Sequence, residues 1–589
     1  MAGGARGTAA RGISRGANGS GHAEDPKVRL AVAAPLLDCG TVGIPLALFL
    51  AALAIRGLAA AFFADPAYPD SFYYVNVAHT LAGGAGFSVD YIWNFVDVGG
   101  RLPLNPVLPI PSNAHWMPLA SLVQVPFLLL LGDGGLSRGL PFWLVGSTAA
   151  PITWWLCRDA GLARGQAIAA GLLAAAPGAL LPFLAQPDNF ALFMPLGALA
   201  LWACARGLVG DRRAFVLGGL AVGVATLARN DGLLLGVPFA LAFLGERVRL
   251  LRGGGPRAGG PIGWRAALAC LGLFLVVMAP WWLRQLAVFG SLAPSASSGR
   301  ILWITSYDQL WSISGETSLG SFLSQGAGPL LASRIGGLGE ALGIFAGVPL
   351  LLFLAPFTVV GAWQRRHEAA FATWRVYAIT LFAFSGILFA VHVPNGTFLH
   401  SAVALVPHAY ALAIIGIGGA ISGVARRRPS WDVSRATRNL TTVAVVMTCL
   451  VGAAATVRVA TSWRAEESVR AQIAQALADV PATDRVMSPD PGAYEFLIQR
   501  GGVVTPDDSL PIIEDVLRAY RARWLIVERA HAVRALAPLL SGSGARPPWL
   551  SAPIASVPLA DAAPSARAGN LEAALYAVCL ESGDERCTP

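Results

Sequence analysis

Long unbroken apolar runs, rather than alternating positions, dominate the hydrophobic pattern of this chain. Runs at 41–63, 139–157, 165–185, 189–208, 214–228, 232–245, 265–288, 339–362, 374–392, 401–423 and 439–460 read as candidate membrane spans. A helix needs about 20 mostly apolar residues to cross a bilayer core. Leu119–Leu131 is apolar but too short for a crossing, and suits an interfacial or re-entrant helix. Two polar stretches between spans, 64–138 and 289–338, are longer than turns require, and loops of that length are usually functional or disordered. Beyond Arg458 the pattern changes. Val469, Ile473 and Leu477 recur with helical spacing, Arg485-Val-Met and Trp524-Leu-Ile-Val read as strands, Leu510–Tyr520 reads as a helix, and Ala574–Leu580 as a further strand. The pattern therefore predicts a small α/β domain over 461–589, interrupted by a Pro/Ala/Gly-rich stretch at 541–569. Residues 1–37 are Gly/Ala/Arg-rich and aperiodic, and read as a disordered tail ahead of a membrane module over 38–460.

Composition agrees with the pattern. The 589 residues are 55% hydrophobic and only 13% charged, which excludes an ordinary soluble protein. The formal charge of +9 rests on arginine, Lys27 being the sole lysine. Those arginines cluster between apolar runs, where they set orientation, so no nucleic-acid partner is expected. If 119–131 does not cross, Arg158/Arg164, Arg206/Arg212/Arg213, Arg247/Arg249/Arg252/Arg257, Arg365/Arg366 and Arg426/Arg427/Arg428 all fall on the side of the N-terminal tail. The positive-inside rule then gives eleven spans in the inner cell membrane, with the N-terminus cytoplasmic and the C-terminal domain outside. Cysteines show no paired metal-ligand spacing, although Cys579 and Cys587 could pair in an oxidising compartment.

The chemistry gathers at the outer ends of the spans. Phe63 to Pro118 opens with Tyr68-Pro-Asp-Ser-Phe-Tyr-Tyr74 and carries Asp70, His79, Asp90, Asp97 and His115 against one basic residue, Arg101. Its aromatic content argues for order. Gln186-Pro-Asp188-Asn189 and Arg229-Asn-Asp231-Gly232 fill tight outer turns, Pro280-Trp-Trp-Leu-Arg284 closes a span, and His400 opens another. Structural roles stand beside functional ones. Asp70, Asp188 and Asp231 are placed to cap helices, Arg229 and Arg284 to reach lipid headgroups, and Arg56 to be held by helix packing. Taken together, an acid at this depth is positioned to deprotonate an acceptor hydroxyl, and arginines beside it to neutralise a phosphate on a lipid tail.

These residues carry a family resemblance. Pro69-Asp-Ser-Phe-Tyr-Tyr-Val-Asn-Val-Ala-His-Thr-Leu-Ala-Gly-Gly84 resembles the first outer loop of GT-C glycosyltransferases, above all the dolichyl-phosphate-mannose protein mannosyltransferases and aminoarabinose transferases. Gln186-Pro-Asp-Asn, Ala228-Arg-Asn-Asp-Gly-Leu-Leu, Pro280-Trp-Trp-Leu-Arg and Gly396-Thr-Phe-Leu-His-Ser are similar to later blocks of that family. Where the aminoarabinose transferases carry an acidic-Lys-Pro-Pro block, this chain reads Ala114-His-Trp-Met-Pro118. Where the protein mannosyltransferases often carry Asp-Glu, it reads Asp70-Ser71.

The resemblance implies a polytopic α-helical membrane protein of GT-C type and an inverting transfer from a polyprenyl-phosphate sugar outside the cytoplasm. The acceptor would be a glycan, lipid or protein. Asp70 becomes the expected base and Asp188 an auxiliary acid, with Arg229, Arg284 and His400 as donor-phosphate candidates in one pocket with them. From the residues themselves, Tyr74 and His115 are further substrate-binding candidates, His115 belonging either to the site or only to the loop. No histidine pair has ligand spacing, so no metal ligand is assigned and a divalent metal is left open. The lipid-linked sugar donor and membrane lipids are the other expected partners. The rival reading is a transporter or lipid flippase, which would show repeated halves and midplane polar groups.

Overall fold

A computed structural model describes residues 39–63, 66–254, 260, 262–297, 299–428, 430–559 and 570–580. The expected tail 1–37, Arg257, Cys587 and residues 560–569 of the Pro/Ala/Gly-rich stretch lie outside them. Among the described residues, eight helices are long and apolar enough to cross a membrane: Val42–Ala60, Arg164–Leu184, Phe190–Leu208, Trp264–Phe289, Ala327–Gly347, Ala369–Leu388, Thr397–Ala425 and Val433–Ala476. Their outer faces carry unpartnered leucine and valine, such as Val276 and Leu283 on Trp264–Phe289. Such a surface is stable in lipid, where no backbone group is left exposed.

The remaining expected spans are shorter or broken. Arg212–Ala228 and Gly236–Leu251 are 17- and 16-residue helices. The 139–157 run is two helices, Gly135–Ser147 and Ala149–Asp159, meeting at Thr148. The 339–362 run is covered by Ala327–Gly347 and Ala355–Gln364. Its break contains Pro349 and ends ahead of Pro356, neither of which can donate to a helix ladder. Leu351 and Leu352 there take φ of 51° and 61°. Leu119–Leu131 is a pair of short apolar helices with Leu129, Leu130 and Leu131 exposed. Close helix contact depends on glycine: a Cβ at Gly416 would meet the Phe357 carbonyl at 1.8 Å.

The C-terminal unit is built on one six-stranded sheet whose strands lie in the order Tyr91–Ile92 (β2), Gly502–Val504 (β5), Arg485–Ser488 (β4), Ala522–Glu528 (β6), Leu571–Val578 (β8) and Leu550–Pro558 (β7). Arg485–Ser488 (β4), Gly502–Val504 (β5) and Ala522–Glu528 (β6) are parallel, with helices Pro491–Ile498 and Leu510–Tyr520 between them. Leu550–Pro558 (β7) and Leu571–Val578 (β8) close one side antiparallel. The other edge is β2, Tyr91–Ile92, contributed by the first long loop and parallel to β5. That loop also pairs Ser88–Val89 (β1) with Ile110–Pro111 (β3). Asp90 is tied to Arg485 at 2.9 Å, and Asn76 Nδ2 donates to the Gly492 carbonyl at 2.8 Å. The loop thus completes the C-terminal unit rather than lying beneath it. Cys579 is disulfide-bonded.

Helix Val433–Ala476 runs 44 residues without interruption. At 1.5 Å per residue it is about 66 Å long, roughly twice a hydrocarbon core. Its far end carries Arg470 into the α/β unit, where the buried guanidinium pairs with Asp490 at 3.2 Å and Glu528 at 3.1 Å. The Tyr494 hydroxyl donates to Glu528 at 2.8 Å. Removing one member of such a buried set leaves charge without compensation. Arg470→Ala is expected to destabilise the C-terminal unit by about 3–5 kcal/mol. Hydrogen exchange of β4 and β6 checks this, with faster exchange there than in the membrane helices.

Candidate active site

The site starts at the first turn of helix Pro69–Ala82. Pro69 occupies its first position, where a missing N–H costs nothing. Tyr68 is the N-cap, with no side-chain cap, so Asp70 is not used to cap the helix. Its carboxylate instead points toward two other stretches. Asp188 and Asn189 sit in the turn before Phe190–Leu208, and His400 lies in the short helix Thr397–Ala402. His400 Nε2 is 3.8 Å from Asp70 Oδ2, and its Nδ1 is 4.0 Å from Asp188 Oδ1.

Hydrogen bonds fix this arrangement. Asn189 Nδ2 donates to the Tyr74 hydroxyl at 2.8 Å, and its Oδ1 faces His400 Nδ1 at 2.9 Å. An amide oxygen only accepts, so Nδ1 carries the imidazole proton and Nε2 turns a lone pair toward Asp70. The ring stacks on Phe190 at 3.7 Å. Asp188, fully buried, accepts from the Tyr68 hydroxyl at 2.6 Å and from the Asn189 backbone N–H. Tyr68 in turn packs on Phe183 and on Trp463 of the 44-residue helix.

Electrostatics follow from this crowding. Burial raises the Asp70 carboxyl to about 6, against the opposing pull of Arg229 and of a hydrogen bond from Trp116. Asp188 is raised further, to about 8, by burial and then by the Asp70 charge. Two carboxylates and a lone pair this close repel unless a proton or cation lies among them. Asp70, Asp188 and His400 each offer a donor atom within 4.8 Å of the others. Oxygen, oxygen and imidazole nitrogen suit a divalent cation such as zinc or manganese. This donor set, drawn from three stretches, is a candidate metal site that no spacing in the sequence marks.

The other predicted residues divide. Arg229 forks onto Asp231, with Nε to Oδ1 at 3.0 Å and Nη2 to Oδ2 at 3.3 Å, and reaches the Thr397 carbonyl at 3.4 Å. Ser401 also donates to Asp231. Arg229 is therefore held beside the acids as one half of an ion pair, and Asp231 serves to hold it. Tyr74 is fully buried, and its hydroxyl accepts from Asn189 beside the acids. His115 stacks on Trp93 at 6.0 Å, and its carbonyl accepts from Asn230 Nδ2 at 2.8 Å. Burial lowers its ring to about 4.

Arg284 does not join the acid cluster, contrary to expectation. Its guanidinium lies over Phe87, Trp281 and Phe289 at 5.1–5.3 Å and donates to Gln285 at 2.7 Å. No acid pairs with it among the described residues. Gln285 connects it to the site, since Gln285 Nε2 donates to the Asn113 carbonyl and the Asn113 N–H donates to the Tyr73 hydroxyl. Sequence reasoning missed Tyr68, Asn189 and Trp116. The neighbouring Pro-Asp and Pro-Asp-Asn steps were the available signals for the first two.

No family model and no curated protein matches the chain. Solved structures do. ArnT from Cupriavidus metallidurans bound to undecaprenyl phosphate is similar over 93% of this chain and 100% of its own, with a TM-score of 0.53 at 14% identity. The oligosaccharyltransferase of Archaeoglobus fulgidus, in complex with zinc and sulfate, is similar over 82% of this chain and 68% of its own, with a TM-score of 0.51 at 13% identity. Both are GT-C glycosyltransferases, and this multi-pass membrane chain shares their fold.

Titration of the chelator-stripped full chain with Mn²⁺ or Zn²⁺ is expected to find one site. Asp188→Asn should weaken it about 100-fold or more, while Asp133→Asn should leave it unchanged. Equal affinity in wild type and Asp188→Asn would rule out the trio as ligands.

Proposed function

We propose that this protein is a membrane glycosyltransferase that moves one sugar, with inversion, from a polyprenyl phosphate to an acceptor hydroxyl outside the cytoplasm. The observation that carries this reading is the convergence of Asp70, Asp188 and His400 beside Arg229, at the ends of helices too apolar to lie outside a membrane. The fold shared with ArnT and the archaeal oligosaccharyltransferase supports it, and the undecaprenyl phosphate bound by that ArnT supports a prenyl-phosphate donor. Eleven crossings, a cytoplasmic N-terminal tail and an extracytoplasmic C-terminal unit complete the proposal.

In this mechanism the acceptor oxygen attacks the anomeric carbon while Asp70 takes its proton. The bond from that carbon to the phosphate oxygen breaks, and its electron pair leaves with the prenyl phosphate. Burial raises the basicity of Asp70 toward the working pH, where a general base is most effective. Asp188, held by Tyr68 and Asn189, keeps the acceptor hydroxyl aligned. Arg229 balances the departing charge from one side. Arg284, which has no acid partner among the described residues and is ringed by aromatic faces, suits the phosphate end of a lipid. A divalent cation held by Asp70, Asp188 and His400 would add positive charge against the leaving phosphate.

A transporter is less well supported, because the polar groups gather at helix ends rather than at midplane. Asp70→Asn is expected to lower transfer about 10³-fold while binding donor as wild type does. Arg284→Met is expected to raise KM for the donor about tenfold with a smaller change in kcat. Radiolabelled prenyl-phosphate sugars and purified protein in lipid nanodiscs provide both measurements. Full transfer by Asp70→Asn would end the base assignment.

A further inference from the structure

The acid cluster accounts for one side of the site but leaves a second, aromatic side unexplained. Trp116, whose side chain reaches Asp70, packs on Trp93 with ring centres 3.9 Å apart. Trp93 also meets His115 and Trp311, each at 6.0 Å. Trp311 meets Tyr307 at 5.0 Å, and Tyr307 meets His392 at 5.7 Å. Six rings from three separate stretches thus form one contiguous cluster beside the proposed base, with Trp116 and His392 buried within it. Trp93, His115, Tyr307 and Trp311 remain partly exposed. Partly exposed indole and phenol rings beside a polar pocket present an apolar body and a polar tip to a ligand.

The chain fixes this surface in place with a buried cation. Arg300 is 6% exposed and donates to the carbonyls of Ser312 at 2.6 Å, of Ile313 at 2.8 Å, and of Gly100 in the first loop. Asp508 of the C-terminal unit accepts from the Ser312 hydroxyl at 2.7 Å, from the Ile313 N–H at 2.6 Å and from the Ser314 hydroxyl. His392 is held through Nε2 against the Ile301 carbonyl at 2.9 Å. A loop that merely covered the site would not need its backbone held from two sides by ionised groups. Charge-assisted bonds of this kind give a surface one fixed shape.

We infer that the surface of Trp93, His115, Tyr307 and Trp311 is a stacking subsite for a pyranose ring that approaches Asp70 from the extramembrane side. The inference rests on the glycosyltransferase reading and adds the chemical class of the ligand at this face. A pyranose presents axial C–H groups on one face and hydroxyls around its rim. The negative face of an aromatic ring attracts those polarised C–H bonds, while the rim stays free for polar partners. An acyl chain presents no such flat face. The ring has two possible sources, the sugar carried by the prenyl phosphate or an acceptor glycan, and the two are separable by experiment.

Isothermal titration of the full chain in nanodiscs tests this, with three probes: a neutral hexopyranose tetrasaccharide, a prenyl-phosphate hexose and the bare prenyl phosphate. Sorbitol, a polyol without a ring face, is the control and should not bind. Trp311→Ala is expected to weaken one of the two sugar probes about tenfold or more, and Trp311→Phe should recover most of that loss. Loss of tetrasaccharide binding assigns the subsite to the acceptor, and loss for the prenyl-phosphate hexose alone assigns it to the donor sugar. Unchanged binding of both sugars, or an equal loss for bare prenyl phosphate, would overturn the inference. Should Trp311→Ala fail to fold, Tyr307→Ala takes its place with the same readings. Sugar binding without transfer would sink the enzyme reading and leave the subsite standing. Transfer to a peptide with no sugar-ring dependence would do the reverse.

Discussion

Two carboxylates and an imidazole lone pair held within 4.8 Å of each other form an arrangement whose own repulsion would drive it apart. Everything around them serves to hold them there. Tyr68 and the Asn189 backbone constrain Asp188, Asn189 orients His400, and the first turn of Pro69–Ala82 aims Asp70. The resulting electrostatic demand for a positive guest gives the site its chemical character. A proton, a metal ion or a substrate dipole would relieve the same repulsion.

The parts that meet this demand belong to distant segments, so the extramembrane half of the protein behaves as one body. The first loop supplies both Asp70 and the edge strand β2 of the C-terminal sheet. The 289–338 loop is clasped by Asp508 from that unit and by its own Arg300, which also reaches Gly100. The C-terminal unit thus touches both long loops that border the site without contributing a member of the acid trio. Its role is legible in the hydrogen bonds that cross into the loops, and not in any motif of its own.

Much of this was readable in the residues, and the failures have physical causes. The long apolar runs marked most of the membrane helices because lipid burial tolerates few polar residues. Breaks at Thr148 and at 348–354 were hidden, since a kinked span and a straight one have the same composition. Strand β2 is two residues long, too short for any alternation to register. Asp70, Asp188 and His400 were singled out by depth and by the family resemblance, but their meeting as a ligand set depended on helix packing between stretches far apart in sequence. Arg284 looked equivalent to Arg229 by position. What separates them is that Asp231 stands two residues from Arg229, while aromatic rings and Gln285 surround Arg284. The Tyr307 and Trp311 rings sit in a loop without periodicity, and only the fold brings them to Trp93.

The helix that begins at Val433 and ends at Ala476 has a further consequence. It passes from lipid into the α/β unit as one rigid rod, and Trp463 along its length leans on Tyr68. A rod converts angle into displacement: over about 66 Å, a tilt of about 5° moves its tip by roughly 6 Å. Helices tilt when the bilayer around them thins or thickens. The thickness of the surrounding membrane is therefore mechanically connected to the tyrosine that grips Asp188, and lipid composition becomes an input to the geometry of the site.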